Sequence, residues 1–133
     1  MKKSILSLIV LIFLTSFLSC KKESKACNLI AAKIIRLDCD RVIFQLLTTD
    51  RIGDADWLDV QTGLQYKNVV SYFNTCTIND LVKAKIDDTL FVNIKKINEI
   101  PANSFCFQCL MASPNPPLTK VDFIEISKFQ CKN

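Results

Sequence analysis

The chain has no histidine among its 133 residues. That absence excludes the Ser-His-Asp and Cys-His nucleophile systems and removes imidazole as a metal ligand. Only two glycines occur, Gly53 and Gly63. Neither lies in a glycine-rich loop, so no phosphate cradle is present in the sequence. Charge of one sign is also scarce where it would matter. The whole chain carries +4, but from Cys27 onward basic and acidic residues each number 12. A neutral domain lacks the basic face that nucleic acid requires, and no nucleic-acid partner is expected. No internal repeat is visible. No cofactor and no metal are expected.

Cysteine is what the chain has in quantity. There are seven, at 20, 27, 39, 76, 106, 109 and 131, an odd number that cannot pair within itself. Met1-Lys2-Lys3 is a basic start, and Ile5–Leu18 is apolar except for Ser7, Thr15 and Ser16. That run is shorter than the roughly 20 residues needed to cross a bilayer core. A basic start, a short apolar core and a small residue at the break describe a secretory signal. The junction Phe17-Leu18-Ser19-Cys20 resembles the lipobox of bacterial lipoproteins, with Phe17 where Leu is usual. The resemblance implies cleavage before Cys20 and lipidation of Cys20. Two or more acyl chains hold a protein firmly where one holds marginally. The expected organisation is a lipoprotein signal peptide over 1–19, the lipidated Cys20 with a tether over 20–26, and one domain over 27–133. The membrane is then a partner through the lipid anchor. The expected location is the bacterial cell envelope, at the outer membrane. The tether lysines Lys21, Lys22 and Lys25 add weak attraction to an anionic surface.

Five strands are expected in the domain. Leu29–Leu37 and Arg41–Thr48 are apolar runs around the polar turn Asp38-Cys39-Asp40. Leu64–Tyr72 is the third strand. Thr89–Ile97 alternates as a fourth with one wet face, and Lys120–Phe129 is the fifth. Between the third and fourth, Thr77–Lys85 reads as a two-turn helix. Thr77 is its N-cap, Asp80 lies in its first turn, and Ile78, Leu81 and Val82 share one face. Asp50–Thr62 is an acidic loop around Trp57. Asn98–Thr119 is a long loop holding Cys106, Cys109 and all four prolines. The order β-β-β-α-β-β is that of a small mainly β, five-stranded OB-like Greek-key barrel with one short helix between strands 3 and 4. The lipobox, the tether, Cys27 before the first strand, Cys39 in the first turn, the late loop with Cys106 and Cys109, and the closing VDFIEISKF strand together resemble small OB-like lipoproteins of the Gram-negative envelope. That family implies a fold and an anchor but supplies no activity.

Outside the cytoplasm the six remaining cysteines are expected to form disulfides. In the barrel the first strand runs antiparallel to the fourth. This favours Cys27 with Cys106 or Cys109, and Cys39 with Cys76 or Cys131. The third bond then has to reach between the two ends. Cys106-Phe107-Gln108-Cys109 is a CxxC. A redox site wants a helix after the motif, and zinc wants a second close pair; neither is present, so the motif reads as a staple.

Asp50, Asp54, Asp56 and Asp59 surround Trp57. They suit a calcium loop or a catalytic carboxylate pair, but the spacing matches no EF-hand, and solvated loop acids are the plainer reading. Trp57 is expected as a lid over the barrel mouth. Phe91, Tyr66 and Tyr72 are either an aromatic ligand face or core, and core is favoured. Three functions follow. The first is a lipid-anchored, non-enzymatic binding or structural module with an unidentified protein or small-molecule ligand. The second is an inhibitor of a secreted hydrolase, built on the loop 98–119. The third is a carboxylate-dependent envelope enzyme.

Overall fold

The computed structural model describes residues 28–75, 78, 83–102 and 114–130. The signal segment, Cys20, the tether, and Cys27, Cys76, Cys106, Cys109 and Cys131 lie outside the described residues. The described part is mainly β. Its strands are β1 (Ile30–Leu37), β2 (Val42–Leu46), β3 (Trp57–Asp59), β4 (Leu64–Tyr66), β5 (Val69–Tyr72), β6 (Thr89–Lys96) and β7 (Lys120–Ser127). Five of them close a barrel in the order β1-β2-β5-β7-β6, and β3 with β4 forms a separate two-stranded sheet. All pairings are antiparallel except β5 with β7, which run parallel.

The barrel is strongly staggered. Leu37 faces Val42, Val42 faces Tyr72, Tyr72 faces Val121, and Val121 faces Lys96. Yet β6 meets β1 far from Leu37, with Val92 opposite Ile30. Closing a small sheet demands such tilt and stagger. Inside lies the main core: Ala32, Ile34, Phe44, Val70, Tyr72, Leu90, Val92 and Val121 are all nearly inaccessible. Phe44 packs edge-on against Tyr72 and Phe123, whose own rings stack at 4.0 Å.

β1, β2 and β5 are buried on both faces. Ile35, Ile43 and Val69 belong to a second cluster with Trp57 and the half-buried Tyr66. The β3–β4 hairpin therefore covers the outside of these three strands. This explains why Val42–Phe44 and Val69–Val70 are continuous apolar runs rather than alternating ones.

Two expectations are corrected here. The third strand is not a single run over Leu64–Tyr72. It splits at Lys67-Asn68, where Asn68 takes φ 58°; Leu64–Tyr66 joins the hairpin and Val69–Tyr72 joins the barrel. The helix expected over 77–85 lies for the most part outside the described residues; helical backbone is described at Thr75 and Ile78. Lys83 takes φ 48° and Asp87 φ 73°, so the helix does not run to Lys85. L-residues in that region cannot continue a right-handed helix. Ile78 and Ala84 nevertheless fill the barrel interior.

Candidate functional site

The outside of β1 and β2 carries the densest polar network among the described residues. Its centre is Arg36, which is 4% exposed. Its position depends on an irregularity. The register shifts between Ile34 and Arg36, so Ile34 faces Phe44 while Arg36 faces Ile43. In a regular strand residues two apart share a face. The extra residue at this bulge moves Arg36 from the apolar interior to the outer face, where Ile43 already points.

There each of the three guanidinium nitrogens donates a hydrogen bond. Nη1 donates to Asp59 Oδ1 at 2.7 Å, Nε to Asp38 Oδ2 at 2.9 Å, and Nη2 to the carbonyl of Pro114 at 3.0 Å. Its Cζ lies 5.1 Å from the centre of the Trp57 ring. Asp59, 1% exposed, also accepts from the Thr62 hydroxyl at 2.8 Å and the Gln61 amide at 3.2 Å. Burial disfavours its charged form. The hydrogen bonds from Thr62, Arg36 and Gln61 outweigh that penalty and hold the carboxyl below its ordinary value.

A second clamp lies beside it. Asp54 forms a backbone bridge to Val69, and its carboxylate reaches across to the segment before β7. Oδ2 accepts from the amide of Leu118 at 2.7 Å; Oδ1 accepts from the amide and the hydroxyl of Thr119 at 3.0 and 2.7 Å. The segment 114–119 is tied at further points. Trp57 Nε1 donates to the Asn115 carbonyl at 2.8 Å, Asn115 Nδ2 to the Leu58 carbonyl at 3.0 Å, and the Ser71 hydroxyl to the Pro117 carbonyl at 3.2 Å. Pro116 and Pro117 restrict the same stretch. Leu118 projects from it as an exposed large apolar side chain, at 86% exposure. Changing Asp54 to Asn keeps the shape but sets an amide donor against the inward N–H groups. We expect a loss of about 1–2 kcal/mol in urea unfolding, with faster amide exchange at Leu118 and Thr119; unchanged exchange at both would show that the clamp is not holding the loop.

A third element braces the segment after β2. The Asn68 carboxamide accepts from the amides of Ile52 and Gly53 at 3.0 and 2.8 Å. It donates to the carbonyls of Leu46, Thr48 and Asp50 at 3.2, 3.5 and 2.9 Å. Gly53 is required by this packing, because a Cβ there would sit 2.5 Å from the Val69 carbonyl oxygen.

Cys39 sits in the exposed β1–β2 turn and is engaged rather than free; the other six cysteines lie outside the described residues. The four loop acids divide. Asp50 and Asp56 are exposed, as solvated acids should be. Asp54 and Asp59 are not solvated acids: both are structural acceptors, committed to the loop and to Arg36. Among the described residues no group of three or more Cys, Asp or Glu is arranged to hold a metal ion. Trp57 is not a lid over the barrel mouth; it is buried against the barrel wall, 6.2 Å from the Tyr66 ring. Tyr72 is core, Tyr66 packs on Trp57, and Phe91 is half-buried.

Arg36, Asp38, Asn68 and Ser71 carry no sequence motif. The available signal was a charge inside the apolar run IIRL, which must find partners if that strand is buried on both sides. No protein-family model, no curated protein and no solved structure matches the chain.

Proposed function

We propose that this protein is a lipid-anchored lipoprotein of the cell envelope whose domain is a non-enzymatic binding module. We read its barrel as OB-like; the closing order with the β3–β4 hairpin set aside and the parallel seam between β5 and β7 support that reading. The six cysteines after Cys20 staple it, with Cys39 paired to Cys76 or Cys131. The observation that carries the binding role is the segment 114–119. Arg36, Asp54, Trp57 and Ser71 hold its backbone while Leu118 stands 86% exposed. A side chain held ready on a fixed backbone loses little entropy on binding, which is how a small contact gains affinity. The partner receives a leucine side chain in an apolar pocket.

The same bonds weigh against the other two readings. A hydrolase grips an extended inhibitor segment through main-chain hydrogen bonds, but the amides of Leu118 and Thr119 both turn inward to Asp54. A catalytic carboxylate pair that includes Asp54 or Asp59 needs those acids free, and both are spent on structural donors.

Two arms test the proposal in cells making the full chain. An alkyne fatty acid should label the protein and fail to label Cys20→Ser; equal labelling removes the anchor. A photo-crosslinking residue at 118 should give a discrete adduct that the same residue at 128 does not. No adduct, or the same adducts at both positions, removes the presenting role of the loop.

A further inference from the structure

Beside the β2–β5 pair, residues of 48–56 and 67–68 enclose a cleft of about 270 Å³. It is separate from Leu118 and does not rest on the role of that loop. Its base is built rather than incidental. The Asn68 carboxamide ties the amides of Ile52 and Gly53 and the carbonyls of Thr48 and Asp50 into one fixed turn. Gly53 lets that turn lie directly on the Val69 backbone.

The walls carry two cations, Arg51 and Lys67, and two carboxylates, Asp50 and Asp56. Among the described residues none of the four makes an ion pair. The pairs present lie elsewhere, at Lys33–Asp87, Arg36–Asp38, Arg36–Asp59 and Arg41–Asp40. Opposite charges that line one space without meeting leave each other's field uncancelled at the centre. A molecule bearing both signs completes both halves. A purely anionic ligand meets Asp50 and Asp56, and a purely cationic one meets Arg51 and Lys67. A bare sugar ring finds no aromatic plane among the described residues that line the cleft. The volume admits a molecule the size of one or two amino-acid residues.

The geometry points to a binding site for a small zwitterion, a free amino acid or a dipeptide. Its carboxylate is held by Arg51 and Lys67, its ammonium by Asp50 and Asp56. Because these side chains are exposed, each contact is modest, so the expected Kd is about 1 mM, weakening with added salt.

Amide spectra of the full chain in detergent micelles, titrated with glycylglycine, N-acetylglycine and glycinamide, test it. Glycylglycine should produce saturable shifts at Gly53, Ala55 and the Asn68 carboxamide. Each single-charge probe should bind at least about tenfold more weakly. Lys67→Glu and Asp56→Lys should each abolish the saturable shift while leaving the barrel resonances in place. Equal response to all three probes, no saturation by about 50 mM, or full binding by either charge-reversed variant overturns the site.

Discussion

Replacing Arg36 with alanine should lower the stability of the domain by about 3–5 kcal/mol, the usual cost of removing one partner from a buried ion pair. The guanidinium is 4% exposed and Asp59 1%, so the remaining carboxylate cannot recover water. The change also frees the Pro114 carbonyl and removes the cation from the face of Trp57, loosening the hairpin and the loop together. Changing both residues, Arg36→Ala with Asp59→Ala, should cost less than the sum of the two single changes, because no unpaired charge is left behind.

The pH dependence gives a sharper test. In the wild type the Asp59 carboxyl is held below its ordinary value. Its contribution is present above the unfolded value of about 3.9 and is lost as pH falls through the lower, folded value. Thr62 and Gln61 also hold the carboxyl down, but Arg36 does so through both a hydrogen bond and its charge, so without Arg36 the carboxyl rises relative to the wild type. The variant should then lose less stability than the wild type on acidification from neutral pH to about 3. Urea midpoints at pH 7 and about pH 3 decide it; parallel behaviour of the two proteins would mean that Asp59 does not depend on Arg36.

Asn68→Ala should cost about 3 kcal/mol or more, from two sources. Five hydrogen bonds through one carboxamide disappear, leaving two amides and three carbonyls to find water. In addition, φ is 58°, a left-handed backbone that asparagine tolerates through local hydrogen bonding and alanine does not, at a cost of about 1–2 kcal/mol. Asn68→Gly separates the two. It keeps the backbone at ease and loses only the hydrogen bonds, so it should recover about 1 kcal/mol relative to alanine. If glycine is no better than alanine in urea unfolding, the left-handed backbone at 68 is not a source of the loss. If amide exchange at Ile52 and Gly53 is unchanged in either variant, the brace itself is refuted.

Most of the barrel is written in local pattern. β1, β2, β6 and β7 are where their apolar runs place them, and the turn at Asp38–Arg41 closes with a 2.9 Å bond from the Asp38 amide. The strand over 64–72 looked single because its apolar content runs through Lys67-Asn68 without interruption. What divides it is a network assembled from residues 46 to 53, which no window around 68 contains. The same holds for Arg36. A bulge turns it to the outer face, and its partners come from positions 59 and 114. The acids of 50–59 were visible as a cluster, but which ones face water is decided by partners outside it, Leu118 and Thr119 for Asp54 and Arg36 for Asp59. Trp57 was misplaced for a related reason. A hairpin three residues deep on each strand leaves little periodicity to read, and only the doubly buried strands beneath it reveal that something must cover them.

The parallel seam between β5 and β7 rests on two residue pairs, Ser71 with Lys120 and Tyr72 with Val121. It is the shortest join in the ring, continued by the Ser71 amide to the Thr119 carbonyl at 2.9 Å and the Ser71 hydroxyl to the Pro117 carbonyl. Local opening is therefore expected first between β5 and β7, before the longer joins part. The zipper that resists this is the very segment that carries Leu118. A partner bound at Leu118, as proposed, would hold this latch shut and slow the opening of the barrel.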